Sequence, residues 1–316
     1  QGRTLTWEET DNPTYGPHET LLNVHATSLN RADLLQRAGR YPPPPGMSNI
    51  LGLEMSGSVA AVGDNVKKWQ VGDRVCALLP GGGYAQQVAV SDRLLMPVPD
   101  GWSYEQAAAL PEAFLTTFVN FYMEADLRPG ETVLVHCGAS GLGTAAIQMA
   151  QITRNPIIVT ASTEEKVARC RELGASLAIN YKLEDFVERI QSYTNGTGVD
   201  VILDAVGASY LERNLRLLKA QGRLVSIGLL SGSRSDINLG VLLRRRLRII
   251  GSVLRSRSLD EKEEIIRGFM TVFWPSITKG ALRPVIDSVY KIQQAHSAHQ
   301  RMAANRNIGK IVLAVR

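Results

Sequence analysis

Three glycines at the end of an apolar segment are the residues whose spacing most clearly indicates a chemistry. The stretch VLVHCGASGLGTAAIQ places Gly138, Gly141 and Gly143 between a predicted strand and a helix predicted to start near Thr144. Glycines let a backbone approach a pyrophosphate closely, and a helix N-terminus presents free N–H groups and a positive dipole end to the anion. The G-x-x-G-x-G spacing departs from the usual G-x-G-x-x-G, and a tight turn without a ligand is the alternative. Because further strand–helix units follow, the pattern predicts a dinucleotide site.

The end of the next predicted strand bears on which dinucleotide binds. NAD-specific sites carry Asp or Glu there for the ribose hydroxyls, whereas this sequence reads TAST and includes Ser162, a candidate cofactor contact. Because no acid stands at this position, nothing there would repel a 2′-phosphate. Lys166 just beyond, and Tyr181 at the end of the third strand, can supply a cation and a hydroxyl donor, with a solvated lysine and a half-buried aromatic as the alternatives. The pattern therefore predicts NADPH as the cofactor.

The elements that position these residues alternate along the chain. From Glu131 onwards the strands TVLVH, IIVT, LAIN, VDVILDAV and RLVSIG are separated by helices of about 10 residues. Such alternation predicts right-handed βαβ units and a parallel sheet. After a further strand, LRIIGSVL, a helix is predicted from about Leu259 to Val272, and short strands return in the tail.

The first part of the chain has a different texture. Between Leu21 and Asp100, short apolar runs alternate with Gly/Pro-rich turns, which is typical of a mostly β domain. The predicted fold class is therefore α/β, with a Rossmann-type doubly wound parallel sheet inserted into a mostly β catalytic domain. We assign residues 1–112 and 259–316 to the catalytic domain and residues 113–258 to the dinucleotide-binding domain.

Composition agrees with a two-domain globular protein. At 316 residues the chain exceeds the size at which one core usually stops growing, and 44% apolar with 21% charged residues is ordinary for a folded protein. No apolar run approaches the roughly 20 residues that span a bilayer, and no signal pattern opens the sequence. Three scattered cysteines cannot form a disulfide framework. The sequence therefore predicts a soluble, cytoplasmic protein, and its net charge of +5 weakly favours anionic ligands.

Several stretches resemble the quinone oxidoreductase branch of the medium-chain dehydrogenases/reductases, the zeta-crystallin group. They cover nearly the whole chain and include SLNRADLLQRAGRYPPPPG, NILGLEMSG, VGDRVCALLPGGGYAQ, AAALPEAFLT, LGASLAINYK and ANRNIGKIVL. The resemblance implies a GroES-like catalytic domain, a cleft between the domains with the nicotinamide at its base, and a homodimer. The family usually opens with an additional strand, and this sequence has no initiator Met, so a truncated N-terminus is one interpretation.

The resemblance also implies roles for individual residues. Lys166 and Tyr181 would hold the 2′-phosphate, and Asn30 and Tyr41 would lie at the nicotinamide and substrate end. The implied pyrophosphate contacts are Gly138, Ser140, Gly141, Leu142 and Gly143. The implied contacts in the later loops and the tail are Gly228, Leu229, Val253, Leu254 and Asn305.

Ligand chemistry argues against a metal. Zinc-dependent relatives hold catalytic zinc with an early Cys and a His in a G-H-E motif, where this sequence reads Asn30-Arg31-Ala32-Asp33 and Gly52-Leu53-Glu54. Leucine cannot bind zinc, and three scattered cysteines cannot build a four-cysteine structural site. The sequence therefore predicts no metal site.

Without a Lewis acid, reduction must rely on hydrogen-bond donors that stabilise the oxygen gaining charge. The candidate catalytic donors are Tyr41, Asn30 and Ser140. The alternatives are a Tyr41 that supports the proline run after it, an Asn30 that bonds its own backbone in a turn, and a Ser140 that caps the helix. A quinone is already electrophilic and its reduced product is aromatic, so little acid–base machinery is needed.

Other conspicuous residues have simpler interpretations. His136 is predicted to be a packed core histidine and Cys137 to be structural, while Asp204 and Glu54 are predicted to bond loop backbone rather than act as active-site carboxylates. The run RRRLR from Arg244 is interpreted as a solvated helix end or a cofactor-side patch, because no aromatic residues interleave it for base stacking. Nucleic-acid binding is therefore not favoured.

The sequence thus predicts an NADPH-dependent quinone reductase that works without zinc. Within enzymes, the alternative is a reductase of enoyl thioesters or other α,β-unsaturated carbonyls; outside enzymes, it is an NADPH- or RNA-binding protein. The strand at Leu247–Leu254 ends the nucleotide-binding sheet, and an unprotected edge favours pairing with its copy across a two-fold axis. We therefore expect a homodimer.

Overall fold

The computed structural model describes residues 4–316 and divides the chain into two compact units. One unit runs to Leu115 and resumes at Leu254, and the other is Thr116–Val253. The domain limits drawn from the sequence differ from these by a few residues, and the predicted start of the first domain lies outside the described residues. The predicted fold class, a Rossmann-type sheet inserted into a GroES-like domain, is confirmed.

The first segment of the first unit is mainly antiparallel β-structure. In β1 (Glu19–Ser28), alternate side chains are buried, which is the two-residue period of a strand with one face on a core. The other elements of this segment are α1 (Arg31–Arg37), β2 (Glu54–Val62), β3 (Arg74–Leu78), β4 (Gln87–Ser91), β5 (Leu95–Pro97), α2 (Tyr104–Ala108) and α3 (Pro111–Phe118).

The second unit alternates strands and helices. Its elements, after one turn of π-helix at Val119–Glu124, are β6 (Val133–Val135), α4 (Gly141–Ile152), β7 (Ile157–Ala161), α5 (Glu164–Glu172), β8 (Leu177–Asn180), α6 (Phe186–Tyr193), β9 (Val199–Asp204), α7 (Leu211–Leu217), β10 (Leu218–Ser226), α8 (Leu239–Arg245) and β11 (Arg248–Gly251). All strand pairs are parallel, in the order β11-β10-β9-β6-β7-β8. This is the doubly wound order, and its switch point lies between β6 and β9.

The chain then returns to the first unit. Its last elements are α9 (Leu259–Thr278), β12 (Ile286–Lys291), α10 (Ala295–Ala303) and β13 (Lys310–Ala314). The strand β13 pairs antiparallel with β1 and parallel with β12, so the tail extends the first sheet in the order β12-β13-β1-β2-β3-β5, with β4 also on β1. Residues distant in sequence are thereby brought side by side.

Two predicted helix limits were wrong. The helix α4 begins at Gly141 rather than near Thr144, because a capping serine at position 140 outweighs the low helix propensity of two glycines. The helix α9 continues past Val272 and through Pro275. Its buried positions Phe269, Phe273 and Ile277 follow at intervals of four residues, so packing of one face sustains the last turns.

The patterns of apolar residues explain the two kinds of sheet. Every residue of β6 and β7 is buried, as expected for parallel strands covered by helices on both faces. In the part of the chain that the structure describes, no helix is both long and apolar enough to cross a membrane. The cytoplasmic location stays a prediction.

Candidate functional site

The glycine loop of the second unit turns too tightly to carry side chains at two positions. Gly138 donates its N–H to the carbonyl of Thr160 at 2.8 Å, and a Cβ on Gly138 would lie 2.5 Å from the Cβ of Val159. A Cβ on Gly143 would lie 2.3 Å from the carbonyl oxygen of Gly138. Both distances are below any normal van der Waals contact. Glycine is therefore required at both positions, at Gly138 by the side chain of Val159 and at Gly143 by the loop backbone.

Ser140 caps the helix that follows the loop. Its Oγ accepts a hydrogen bond from the N–H of Gly143 at 3.0 Å, and its carbonyl accepts one from Thr144 at 2.9 Å. The N–H groups of Gly141 and Leu142 have no acceptor among the described residues. Two free donors therefore lie at the positive dipole end of α4, an arrangement that suits an anion. The alternative interpretation of Ser140, that it caps the helix, agrees with this hydrogen bond.

The ends of β7 and β8 lie side by side. The N–H of Tyr181 donates to the carbonyl of Ala161 at 3.1 Å, which places Tyr181 next to Ser162. Thr163 caps α5 and accepts a hydrogen bond from the N–H of Lys166 at 3.3 Å. Three predicted cofactor contacts, Ser162, Lys166 and Tyr181, thus follow the neighbouring strands β7 and β8, and Tyr181 is 40% exposed.

Other predicted nucleotide contacts lie at the same edge of the sheet. Gly228 and Leu229 follow β10, and Val253 follows β11, where the carboxyl ends of parallel strands meet. Leu229 and Val253 are about half exposed, whereas Leu254, which begins the second segment of the first unit, is buried. Asn305 belongs to the first unit and is hydrogen-bonded to Arg31.

Two side chains of the second unit have structural partners, as predicted. His136 is buried and bonded to Thr160 Oγ1 at 3.0 Å and Asn214 Oδ1 at 2.8 Å, and burial lowers its pKa to about 4. The Asp204 carboxylate accepts hydrogen bonds from the N–H groups of Val206 and Gly207. The packed-histidine and loop-bonding interpretations both agree with the structure.

A network of charged and polar side chains lies inside the first unit. Glu54, the first residue of β2, is fully buried and bonded through Oε1 to Ser28, to Asn30 at 2.8 Å and to Lys310 at 2.7 Å. Its Oε2 accepts the backbone N–H of Glu112 at 2.8 Å. Glu54 therefore bonds side chains as well as backbone, which the sequence interpretation of this residue missed.

Asn30 joins the buried carboxylates through this network. Besides the bond to Glu54, its Oδ1 accepts from Lys310 Nζ at 2.7 Å, and its N–H donates to the Asp33 carboxylate at 2.7 Å. Asp33 also accepts the N–H of Gly52 at 3.0 Å. Burial raises the pKa of Asp33 to about 6, although the two N–H bonds and Lys310 act against that rise.

Tyr41 is held by a buried arginine. Arg255 Nη1 donates to the carbonyl of Tyr41 at 3.4 Å, and the guanidinium carbon lies 5.3 Å from the centre of the Tyr41 ring. The same guanidinium bonds the carbonyl of Pro80 at 2.8 Å and Gln36 Oε1 at 2.9 Å. The Tyr41 hydroxyl has no hydrogen-bond partner among the described residues. Burial raises the pKa of Tyr41, as does Glu112, so the phenol stays protonated as a donor at neutral pH.

Sequence reasoning missed the residues that surround Tyr41 and Glu54. Arg255, Glu112, Asp33 and Lys310 were not singled out as functional candidates. A charged residue inside an apolar strand, such as Lys310 in GKIVLAV, was an available signal for a buried ion pair. Nothing in the local sequence indicated that Arg255 meets Tyr41.

Metal ligands are not grouped in this structure. Between residues 4 and 316, no three or more His, Cys, Asp or Glu side chains are arranged to hold a metal ion. Leu53 is buried, and the amide of Asn30 is already bonded to Glu54 and Lys310. The acids at the two places that carry zinc ligands in zinc-dependent relatives, Asp33 and Glu54, are bonded to protein groups.

Comparison with known proteins agrees with this architecture. The alcohol dehydrogenase GroES-like domain matches residues 16–100, and the zinc-binding dehydrogenase domain matches residues 141–269. The quinone oxidoreductase of Pseudomonas aeruginosa is 35% identical over 303 residues, which are 94% of this chain and 91% of that protein. The synaptic vesicle membrane protein VAT-1 homolog of Danio rerio is 32% identical over 311 residues, and the chain spans only 64% of its length.

A solved structure shows the same fold. The crystal structure of Escherichia coli quinone oxidoreductase complexed with NADPH matches with a TM-score of 0.87 at 29% identity, over 98% of this chain and 95% of that one. The two matched domains, in this order and with this sheet topology, define a medium-chain dehydrogenase/reductase. Within that class the chain belongs to the quinone oxidoreductase family, so the resemblance found in the sequence is confirmed.

Proposed function

We propose that this chain is an NADPH-dependent quinone oxidoreductase that works without zinc. The observation that carries the proposal is the start of α4, where the N–H groups of Gly141 and Leu142 have no acceptor among the described residues. They follow a loop in which Gly138 and Gly143 leave no space for a side chain. Backbone donors and a helix dipole arranged in this way suit a pyrophosphate. Relatives named quinone oxidoreductase support the class of acceptor.

The residues at the sheet edge fit a phosphorylated dinucleotide. The pyrophosphate would take the N–H groups of Gly141 and Leu142, and the 2′-phosphate would take Lys166 and Tyr181. The end of β7 reads Thr160-Ala161-Ser162 and carries no acid, so no carboxylate there would repel a 2′-phosphate. When bound, NADPH supplies the hydride; the chain supplies its position and the groups around the acceptor.

Of the three candidate donors to the acceptor, Tyr41 is the one whose polar group makes no hydrogen bond in the described part of the chain. The Asn30 amide bonds Glu54 and Lys310, and the Ser140 hydroxyl accepts the N–H of Gly143. The Tyr41 hydroxyl has no partner in the described chain. We therefore assign the hydrogen bond to the acceptor oxygen to Tyr41, and we assign Asn30 to holding the buried network in place.

Zinc does not fit the residues present. Zinc in catalytic sites takes three protein ligands from Cys, His, Asp or Glu. The G-H-E place holds Leu53, and the early cysteine place falls in the NRAD stretch from Asn30 to Asp33, whose acid accepts two backbone N–H bonds. We expect full activity after exhaustive chelation, with far less than one zinc per chain by elemental analysis.

The proposed function is tested by following NADPH oxidation with three acceptors in parallel, an ortho-quinone, a para-quinone and an enoyl-CoA. We expect turnover with a quinone. Turnover confined to the enoyl-CoA would make the chain an enoyl reductase, and no turnover with any acceptor would contradict an enzymatic role. RNA binding measured at two salt concentrations checks the non-enzymatic alternative, because phosphate contacts weaken steeply with salt.

The cofactor assignment has its own test. A charge-assisted hydrogen bond contributes about 1.5–3 kcal/mol, so Lys166→Ala should weaken NADPH binding by about 10- to 150-fold and leave NADH binding nearly unchanged. Lys279→Ala, which removes an exposed lysine after α9, is the matched control and should change neither affinity. Equal losses for the two cofactors in Lys166→Ala would refute the role of Lys166.

A further inference from the structure

An acidic side chain lies just beyond the end of β7 and is held by a buried amide. Glu164 is the first residue of α5, and its Oε1 accepts a hydrogen bond from Asn180 Nδ2 at 2.7 Å. Asn180 is the last residue of β8 and is buried, whereas Glu164 is exposed. This hydrogen bond therefore joins the start of α5 to the end of the neighbouring strand.

The two hydrogen bonds of the Asn180 side chain fix the orientation of its amide. Its Oδ1 accepts the N–H of Lys182 at 3.2 Å, while its Nδ2 donates to Glu164. Because an amide donates only through its nitrogen and accepts through its oxygen, the two bonds form together in this orientation alone. Asn180 therefore presents a donor to Glu164, as a carboxylate requires.

The bond between Glu164 and Asn180 lies beside the residues assigned to the 2′-phosphate. Ser162 precedes Glu164 by two positions, so their Cα atoms are at most about 7 Å apart. Tyr181 directly follows Asn180, and its N–H bonds the carbonyl of Ala161. A carboxylate released from Asn180 is close enough to repel a phosphate at Ser162, because physiological salt largely screens charges only beyond about 8 Å.

No cation is paired with Glu164. Within residues 4–316 its carboxylate forms no ion pair and accepts a hydrogen bond from Asn180 alone. Lys166 follows by two positions on the same helix, and side chains at that spacing do not face each other. Glu165, the next residue, is an exposed acid as well. The position in which Asn180 holds the Glu164 carboxylate therefore decides how strongly it repels a bound phosphate.

We propose that Asn180 sets the cofactor choice of the reductase by holding the Glu164 carboxylate away from the 2′-phosphate. The proposal rests on the proposed function, in which NADPH binds with its 2′-phosphate at Ser162, Lys166 and Tyr181. NAD-specific sites use an acid in this region to bind the ribose hydroxyls. Here an acid is present, and its hydrogen bond holds it at the end of β8. Asn180 is thus a positioning residue for cofactor specificity.

The first test measures the Kd values of NADPH and NADH for the whole protein, with no acceptor present. Asn180→Ala removes the donor and should weaken NADPH binding by about 5-fold, the upper end for a charge pair at an exposed position. NADH has no 2′-phosphate, so it should bind as tightly as before or more tightly. Equal losses for the two cofactors would show that Asn180 only supports the local fold, and would overturn the proposal.

A double-mutant cycle tests whether Glu164 is the cause of the loss. Adding Glu164→Gln to Asn180→Ala should restore NADPH binding, because the released side chain no longer carries a charge. Glu164→Gln alone should change NADPH binding little. The matched control is Glu165→Gln, which removes a neighbouring acid that has no bond to Asn180 and should have the same effect in both backgrounds. A loss in Asn180→Ala that Glu164→Gln does not reverse would contradict the role of Asn180.

Ionic strength provides a second readout of the same cycle. The ratio of the NADPH Kd of Asn180→Ala to that of the wild type should fall towards one at about 1 M salt, where charges are screened beyond about 3 Å. A loss caused by altered packing would keep its size at high salt. A ratio that does not change with salt would therefore contradict repulsion by Glu164.

The outcomes separate the two proposals. A wild-type protein that binds NADPH no more tightly than NADH overturns the proposed cofactor preference, and the role of Asn180 with it. A wild type that prefers NADPH, with the same preference in Asn180→Ala, overturns only the role of Asn180. Failure to reduce a quinone concerns the proposed function and not this cycle, which needs no acceptor. Thermal unfolding of each variant is recorded alongside; if Asn180→Ala does not fold, Asn180→Ser, with a shorter polar side chain, takes its place in the cycle.

Discussion

Single residues show how this chain places polar groups inside its first unit. Lys310 and Glu54 form an ion pair at 2.7 Å with almost no exposure of either side chain. Buried charges are tolerated only when their remaining hydrogen bonds are made, and here Asn30 and Ser28 complete them. Breaking such a pair by removing one partner costs about 3–5 kcal/mol. Each member of this network is therefore held by its neighbours.

The role of Tyr41 can be tested by its effect on quinone reduction, separately from cofactor binding. Loss of one donor to a developing oxyanion costs about 2.7–4 kcal/mol in a dry site and less where water replaces it. We expect Tyr41→Phe to lower kcat/KM for quinones modestly and Tyr41→Ala to lower it much more, with NADPH affinity nearly unchanged. Tyr15→Phe, at an exposed tyrosine of the same unit, is the control. If Tyr41→Ala reduces quinone at the wild-type rate with NADPH saturating, Tyr41 only supports the proline run.

Among the elements, β11 is an edge strand with exposed apolar side chains beside it. It is the last strand of the parallel sheet and, within residues 4–316, pairs with β10 alone. Its outer edge carries Ile249, which is 42% exposed, and α8 just before it exposes Leu239 and Leu243 on one face. An open edge beside exposed apolar side chains favours association with a second copy through the same surface.

We therefore expect a homodimer that forms through β11. Light scattering at micromolar concentration should give twice the mass of one chain for the wild type. Ile249→Lys places a charge on the exposed edge and should shift the protein to monomer, because like charges would meet across a two-fold axis. The control Val272→Lys changes an equally exposed apolar residue of α9 and should leave the mass unchanged. A monomeric wild type would contradict the assignment.

Across the whole molecule, each unit holds one histidine that is buried without charge. His136 lies in the parallel-sheet unit, and His299 in the other unit is bonded to the Tyr84 hydroxyl at 3.1 Å. Burial lowers the pKa of both to about 4. The unfolded chain takes up these protons at the ordinary value of 6.5, so the stability that each neutral histidine contributes is present above pH 6.5 and is lost as pH falls towards 4.

The protein should therefore lose stability on mild acidification. A shift between these two pKa values corresponds to on the order of 3 kcal/mol for each histidine, which is a large part of the stability of an ordinary domain. Urea unfolding at a series of pH values should show the loss, and His299→Gln should flatten its dependence on pH even if the variant is less stable throughout. His18→Gln, at an exposed histidine, should leave the slope as in the wild type. An unchanged slope in His299→Gln would contradict the prediction.

Much of the parallel-sheet unit could be predicted because its signals are local. The glycine loop and the end of β7 without an acid each lie within a few consecutive residues. Each strand and helix also shows its own period of apolar residues, because one or both of its faces are buried. The start of α4 at Gly141 was missed because the cap at Ser140 acts through a hydrogen bond to Gly143, which propensity does not record.

The polar network of the first unit could not be predicted in the same way. Its members Asp33, Glu54, Glu112, Arg255 and Lys310 come from five separate stretches, and each alone has an ordinary interpretation as a surface or strand-end charge. Only the pairing of β13 with β1, and of β1 with β2, brings Lys310 to Glu54. A local pattern indicates which face a residue presents, but tertiary contacts decide which distant group meets it there. The sequence by itself therefore determined the dinucleotide loop and the family, whereas the tertiary structure decided the surroundings of Tyr41 and the pairing of Lys310 with Glu54.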